Sequence, residues 1–297
     1  MKLNLRLTAT IAFAGLAAWL TITAPGAQAQ DAAKAPAAKG KLRMTPRDTR
    51  ATCPTYKFTD TNEDMMYCVF ASSKVSKDKA APLIVTLHGL GTGPGVMMTK
   101  NALDLAEAGG YVVVAPMGYS VGGWYGSPVI GGPGAGKGKA PEGKAQPPAQ
   151  PAGPANLPEL SEKDVMNVLA MIRKEYKIDD KRMYLMGHSM GGAGTLFLGS
   201  KHASMWAAIG AEAPAAFSMQ ANRAEFLQKL KDAKVAVIIV HGDADELVPV
   251  ANSRAWAETM KQMGMTSEYV EQPGISHGPV IEAGMAPIYA FFAKHTK

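Results

Sequence analysis

The sequence MYLMGHSMGGAGT, residues 183–195, joins a short apolar run to a run of small residues through the pattern Gly187-x-Ser189-x-Gly191. This order predicts a buried strand, a very tight turn and a helix. A serine on such a turn has a strained backbone, and a Cβ at either flanking position would collide with neighbouring backbone. Because the turn presents the serine oxygen at the carboxyl edge of a sheet, Ser189 is the candidate nucleophile.

A serine hydroxyl is a poor nucleophile near neutral pH, so it needs a base, and the base needs a group that orients it. The segment HGDADELVP, residues 241–249, follows an apolar run and supplies carboxylates. We predict that Asp245, in preference to Asp243, orients the base. His277 is the predicted base, because it lies on a loop between the next strand and the last helix.

Acyl transfer also needs hydrogen-bond donors for the developing oxyanion. The backbone N–H of Met190 is one candidate, because the N-terminus of a helix favours negative charge. The glycine-rich segment HGLGTGPG, residues 88–95, follows another apolar run and lets the backbone turn inward. The N–H of Leu90 is therefore the second candidate, and a plain glycine turn is the alternative. The segment lacks the spacing of a phosphate-binding loop.

Short β-branched runs alternate with helical patterns along the rest of the chain. Strands are predicted near residues 83–87, 111–115, 183–186, 235–240 and 268–271. Helices are predicted over 161–176, 191–201, 250–263 and 279–295, the first opened by Ser161-x-x-Asp164 as a variant of the capping box. The alternation predicts an α/β fold, with a mostly parallel central sheet and helices on both faces, in a single domain over 41–297. Residues 41–75 are expected to add antiparallel edge strands.

A Gly/Pro-rich stretch, residues 127–158, holds 7 Gly and 8 Pro among 32 residues. It has no apolar periodicity, so we interpret it as a surface insertion in the domain. Tyr119, Trp124 and Tyr125 precede it on the side where the pocket is expected. They are candidates for stacking on an aromatic or sugar moiety of a substrate, and ordinary packing is the alternative.

The amino terminus has the pattern of a secretory signal peptide over residues 1–29. Lys2 and Arg6 precede an apolar run, and Ala27-Gln28-Ala29 matches a small-x-small cleavage site. An uncleaved membrane anchor is the alternative, but the run is shorter than the roughly 20 residues of a span. Residues 30–40, QDAAKAPAAKG, predict a flexible linker. We therefore expect a periplasmic or secreted protein with no stable membrane anchor after cleavage.

The chain has two cysteines, Cys53 and Cys68. In an oxidising compartment they can form a disulfide, worth on the order of 3 kcal/mol for a loop of this size. Two buried free thiols are the alternative. In either case the cysteines are expected to be structural.

Composition and charge exclude several classes of function. The 297 residues are 47% hydrophobic and 19% charged, with a net charge of +6, which excludes a disordered polyelectrolyte and a multispan membrane protein. Basic residues do not cluster with aromatic ones, so no nucleic-acid partner is predicted. No metal is predicted either, because metal-ligand motifs are missing. His188 is interpreted as a supporting neighbour of the nucleophile, and His241, His202 and His295 are assigned no role.

Taken together, these motifs resemble the α/β-hydrolase fold, in which the catalytic residues follow in the order serine, acid, histidine. More narrowly, residues 64–295 resemble small secreted esterases grouped with polyhydroxybutyrate depolymerases, feruloyl esterases and dienelactone-hydrolase relatives. The resemblance implies hydrolysis of small-molecule or polymeric carboxylic esters through an acyl-serine intermediate, with no cofactor. It assigns Ser189 as nucleophile, His277 as base and then acid, Asp245 as orienter, and Leu90 and Met190 as oxyanion donors. The Gly/Pro-rich insertion departs from the family pattern.

Two other functions remain open at this point. The pattern G-x-S-x-G-G also occurs in serine peptidases of the prolyl-oligopeptidase type. A non-catalytic binding protein built on a hydrolase scaffold is the other alternative. The leading hypothesis is an exported serine carboxylesterase that acts on small or aryl esters.

Overall fold

The computed structural model describes residues 46–129 and 153–297. The predicted signal peptide, the linker and most of the Gly/Pro-rich insertion lie outside these residues. The described residues form an eight-stranded sheet in the order β1-β2-β4-β3-β5-β6-β7-β8. The strands are β1 (Thr55–Phe58), β2 (Glu63–Ala71), β3 (Ala81–Leu87), β4 (Val112–Pro116), β5 (Ile178–His188), β6 (Ala208–Glu212), β7 (Ala236–Gly242) and β8 (Ser267–Gln272).

The helices are α1 (Lys100–Gly109), α2 (Leu157–Glu175), α3 (Met190–Lys201), α4 (Arg223–Asp232), α5 (Val250–Gln262) and α6 (Val280–Ala293). β1 pairs antiparallel with β2, and β2 pairs antiparallel with β4. The pairs from β4 through β3, β5, β6 and β7 to β8 are all parallel. The predicted α/β class, with a mostly parallel sheet and antiparallel strands at one edge, is confirmed.

The sheet is covered by helices on both faces. Every residue of β3 and of β7 is buried, as expected for parallel strands that are packed on both sides. Successive residues alternate between the faces: Leu83 and Val85 belong to the apolar layer that includes buried residues of α2 to α5, whereas Ile84 belongs to the layer that includes those of α1 and α6. Because the strands from β3 to β8 run parallel, their carboxyl ends lie at one common edge of the sheet.

Helix α2 begins four residues before the predicted start, so Ser161 and Asp164 lie inside it and the predicted capping box is wrong. Both side chains are buried and bind the loop that follows β4. The Ser161 hydroxyl donates to the carbonyl of Gly118 at 2.6 Å and accepts the amide of Tyr125 at 3.0 Å. The Asp164 carboxylate accepts the amides of Gly118 and Tyr119 at 2.6 and 3.1 Å. This loop has positive φ at Tyr119, Trp124 and Tyr125, so α2 holds a strained backbone in place.

Cys53 and Cys68 form a disulfide. Cys68 lies on β2 and is fully buried, so the bond attaches the segment before β1 to the sheet. None of the helices within 46–129 and 153–297 is both long and apolar enough to span a membrane.

Candidate active site

Ser189 lies at the turn between β5 and α3. Its backbone angles, φ 57° and ψ −114°, are sparsely populated for any residue with a side chain. Its N–H donates to the carbonyl of Glu212 at 2.9 Å, and its carbonyl accepts the amides of Ala193 and Ala215, each at 3.0 Å. These bonds to α3 and to β6 hold the strained turn.

Close backbone contacts explain the glycines on both sides of the turn. A Cβ on Gly191 would lie 2.1 Å from the carbonyl oxygen of Leu87, at the end of β3. A Cβ on Gly187 would lie 2.5 Å from the carbonyl oxygen of Gly191. Any side chain at either position would force β5, α3 and β3 apart, so the G-x-S-x-G pattern follows from close packing.

His277 lies on the loop between β8 and α6. Its Nε2 is 2.8 Å from the hydroxyl oxygen of Ser189. A second imidazole supports this loop, because Nε2 of His188 is 2.8 Å from the carbonyl oxygen of His277. Burial, and next the proximity of His277, lower the pKa of His188 to about 3. His188 is therefore neutral and donates its Nε2–H to that carbonyl.

Asp245 lies on the loop between β7 and α5, and its side chain is fully buried. Its Oδ2 is 2.7 Å from Nδ1 of His277. Its Oδ1 accepts the amides of Leu247 and Val248 at 2.9 and 2.8 Å. Burial alone would raise the pKa of Asp245, but the hydrogen bonds from His241, His277 and Val248 outweigh it and hold the pKa well below the ordinary value. The carboxylate therefore stays ionised beside the imidazole of His277.

Asp243, the alternative acid, occupies a different position. It is exposed, and its Oδ1 accepts the amide of Gly274 at 2.6 Å. This bond connects the loop after β7 to the loop after β8. The structure therefore brings Asp245, and not Asp243, into hydrogen-bond contact with His277.

The two predicted oxyanion donors belong to segments that adjoin Ser189. Met190 is the first residue of α3, and the first amides of a helix have no partner within the helix. Leu90 follows Gly89, where a Cβ would lie 3.5 Å from the Cβ of Ser189. Within residues 46–129 and 153–297, the N–H of Leu90 donates to no backbone or side-chain acceptor. Both amides are therefore available to a ligand near the Ser189 hydroxyl.

The three aromatic residues predicted to contact a substrate lie mostly in the packed interior. Tyr125 is fully buried, and its hydroxyl donates to the carbonyl of His88 at 3.2 Å. Trp124 is 6% exposed and belongs to the same core. Tyr119 is partly exposed, but its hydroxyl donates to Glu63 at 2.7 Å. Tyr125 and Trp124 therefore pack the loop against the core, and their burial does not agree with a role in stacking on a substrate.

The sequence pattern assigns no role to His241, yet its side chain contacts Asp245. Its Nε2 is 3.1 Å from Oδ2 of Asp245 and 3.0 Å from the carbonyl oxygen of Val248. Its Nδ1 is 2.7 Å from the hydroxyl oxygen of Ser253 on α5. The signal in the sequence was the spacing H-G-x-x-D at the end of a buried strand, which brings the first and fifth side chains together once the chain turns.

The described part of the chain contains no group of three or more His, Cys, Asp or Glu side chains that could hold a metal ion. The chemistry that the geometry supports is proton transfer from a hydroxyl to an imidazole that a carboxylate orients.

The eight-stranded and mostly parallel sheet that carries this site has the α/β-hydrolase fold. Residues 59–278 match the model of the Esterase family, described as "Putative esterase". The chain therefore belongs to the Esterase family, whose members hydrolyse carboxylic ester bonds. No curated protein matches the chain.

Solved structures with the same fold include several esterases. A ferulic acid esterase has a TM-score of 0.61 and 16% identity, with 82% of this chain and 98% of that chain covered. An S-formylglutathione hydrolase from Agrobacterium tumefaciens has a TM-score of 0.60 and 16% identity, with 83% and 95% covered. A thermostable esterase has a TM-score of 0.56 and 22% identity; it covers 84% of this chain, and this chain spans 64% of its length.

Proposed function

We propose that this protein is an exported serine carboxylesterase that hydrolyses small or aryl carboxylic esters through an acyl-Ser189 intermediate. The observation that carries the proposal is the continuous hydrogen-bond chain from Ser189 Oγ through His277 to Asp245, with distances of 2.8 and 2.7 Å. Three residues that are far apart in sequence have no structural need to converge in this way.

In the proposed reaction, Nε2 of His277 accepts the hydroxyl proton as Oγ of Ser189 attacks the ester carbonyl carbon. Asp245 holds the Nδ1–H of His277, so the basic Nε2 faces the serine. The amides of Leu90 and Met190 donate to the oxyanion that forms. His277 then protonates the leaving alcohol. In the second half-reaction it activates a water molecule, which releases the acid from Ser189.

The electrostatics of the site support this proton transfer. Asp245 keeps its negative charge because four donors surround it, and the charge stabilises the imidazolium that forms at His277. Met190 begins α3, so the positive end of the helix dipole also faces the oxyanion.

Two features support export and an ester with an aryl group. The disulfide between Cys53 and Cys68 is typical of proteins in oxidising compartments, in agreement with the signal peptide predicted from residues 1–29. The structural neighbour that is a ferulic acid esterase suggests an aromatic acid as one acyl group to test.

Replacing Ser189 tests the proposal directly. We expect Ser189→Ala to lower kcat for para-nitrophenyl acetate by roughly 10⁴-fold or more, because the nucleophile is lost. Its melting temperature should stay close to the wild-type value, because a methyl group fits where the hydroxyl lies. A fluorophosphonate probe should label the wild-type protein and not the variant.

The same assays separate the alternatives. Normal ester turnover by Ser189→Ala would contradict the proposal. Cleavage of peptide anilides but not of esters by the wild-type protein would favour a peptidase. A wild-type protein that neither turns over esters nor reacts with the probe would favour a binding function.

A further inference from the structure

His241 is a buried, titratable side chain that the proposed reaction does not use. It lies near the end of β7 and has no exposed surface. An imidazole costs free energy when it is buried unless both of its nitrogen atoms have hydrogen-bond partners. The partners of His241 therefore indicate what it does.

The two acceptors at Nε2 determine its tautomer. The carboxylate oxygen Oδ2 of Asp245 and the carbonyl oxygen of Val248 lie 3.1 and 3.0 Å from Nε2. Neither can donate a proton, so Nε2 carries the hydrogen and shares it between them. On a neutral ring, Nδ1 then accepts the hydroxyl hydrogen of Ser253, at 2.7 Å.

This arrangement clamps the acid loop, residues 245–248, at both ends. The ring bonds to the first and the last residue of the loop and, through Ser253, to the first turns of α5. The amides of Leu247 and Val248 hold only Oδ1 of Asp245. Oδ2, the oxygen that accepts Nδ1–H of His277, has His241 as its second donor. Because the carboxylate is buried, water cannot replace that donor.

We propose that His241 is a positioning residue for the catalytic acid: its Nε2–H, shared by Asp245 and Val248, holds Oδ2 in line with His277. This inference rests on the proposed function. His241 itself does not touch the Ser189 hydroxyl or a substrate, so its replacement affects the rate of proton transfer rather than substrate binding. The expected result is a fall in kcat with little change in KM.

A set of three replacements tests the clamp. Glutamine has two amide hydrogens at nearly the reach of Nε2, one for each acceptor, so His241→Gln should keep kcat within about 3-fold of wild type. Asparagine is too short to reach Oδ2, and leucine has no donor. His241→Asn and His241→Leu should lower kcat for para-nitrophenyl acetate about 10- to 100-fold, the effect of a small misplacement of a catalytic group.

A core variant on the same strand separates positioning from stability. Ile239 is fully buried on β7, two residues before His241. Ile239→Ala should lower the melting temperature while kcat per folded molecule stays within about 3-fold of wild type. Circular dichroism gives the folded fraction of each variant, and all rates are measured well below the melting temperatures.

The inference fails if His241→Asn keeps the wild-type kcat. It also fails if kcat falls as much in His241→Gln as in His241→Asn. A fall in kcat of Ile239→Ala as large as that of His241→Asn would likewise contradict it. If His241→Leu does not fold, the glutamine and asparagine pair decides alone. Ser189→Ala is measured in the same assay. Ester turnover that survives Ser189→Ala overturns the proposed function, whereas a loss in Ser189→Ala without one in His241→Asn overturns only the role of His241.

Discussion

Strands β6 and β7 lie side by side, and each brings a buried carboxyl group to the carboxyl edge of the sheet: Glu212 at the end of β6 and Asp245 just after β7. Neither side chain is exposed. Four hydrogen-bond donors surround Asp245. In contrast, neither carboxyl oxygen of Glu212 has a hydrogen-bond partner among the described residues.

The pKa values of the two groups move in opposite directions. Burial, and next the proximity of Glu282, raise the pKa of Glu212 well above its ordinary value. Asp245 is also buried, but its donors hold its pKa well below the ordinary value. Burial alone therefore does not decide whether a carboxyl group is ionised, because at Asp245 the hydrogen bonds outweigh it.

The position of each group explains why the donors differ. The backbone carbonyl of Glu212 accepts the amide of Ser189, but its side chain points towards α6, where a Cβ on Gly284 would lie 2.3 Å from Oε1. Asp245 is on a loop, and that loop turns two of its own amides towards the carboxylate. A regular strand cannot do this, because its amides are already bound to the neighbouring strands.

Among the replacements that test this comparison, Asp245→Asn is expected to have the largest effect. The amides of Leu247 and Val248 would hold the asparagine oxygen, and its NH₂ group would then face the Nδ1 of His277. This favours the wrong tautomer of His277, so kcat should fall by about 10⁴-fold. Steady-state kinetics with para-nitrophenyl acetate measures the fall. A loss of less than 10-fold in a folded variant would mean that the charge and the donors at Asp245 do not serve catalysis.

A smaller effect, on stability rather than rate, is expected from Glu212→Gln. At low pH, Glu212 is protonated in both the folded and the unfolded chain. As pH rises above the ordinary carboxyl pKa, the unfolded chain ionises while the folded one keeps its proton, so wild-type stability falls until the folded pKa is reached. Glutamine does not titrate. The stability of the variant relative to wild type should therefore increase with pH, by about 1.4 kcal/mol per unit within that window.

Denaturant unfolding at pH 5 and pH 8 measures this difference. The same difference in free energy of unfolding at both pH values would show that Glu212 does not keep its proton when folded. Ester turnover is measured as a control for an effect on the active site. The kcat of Glu212→Gln should stay within about 3-fold of wild type, because the hydrogen bond from the Ser189 amide to the backbone carbonyl of residue 212 is unchanged.

Strands β6 and β7 also differ in how well the sequence predicts them. Continuous β-branched runs predict β3, β4 and β7, and the small residues around Ser189 predict the turn into α3. Strand β6 is not among the predicted strands, because its sequence AIGAE has one β-branched residue. It is a strand because it pairs on both sides, with β5 and with β7. Its residues are small because they lie under α6, where a Cβ on Gly210 would lie 2.9 Å from Ile288.

Burial and partners from distant segments explain the remaining differences. Ser161 and Asp164 have the spacing of a helix cap, but their partners are amides, a carbonyl and the Tyr56 hydroxyl, all more than 30 residues away. The role of His241 is not visible in the sequence, because its contacts with Asp245 and Val248 form only when the loop after β7 folds back. A pattern of residue types predicts which side chains follow strands, whereas the tertiary packing decides which polar atoms they meet.

The smallest effect is expected at Asp243, which provides the control for Asp245 on the same loop. Its Oδ1 accepts the amide of Gly274, a residue with φ of 71° on the loop that carries His277. Asp243→Asn keeps an oxygen at that position, so kcat should stay within about 2-fold of wild type. Asp243→Ala loses the bond, which is exposed and worth about 1 kcal/mol, and kcat should fall a few-fold as the two loops move apart. If Asp243→Asn lost more kcat than Asp245→Asn, the orienting acid would be Asp243, and the four donors at Asp245 would have only a structural role.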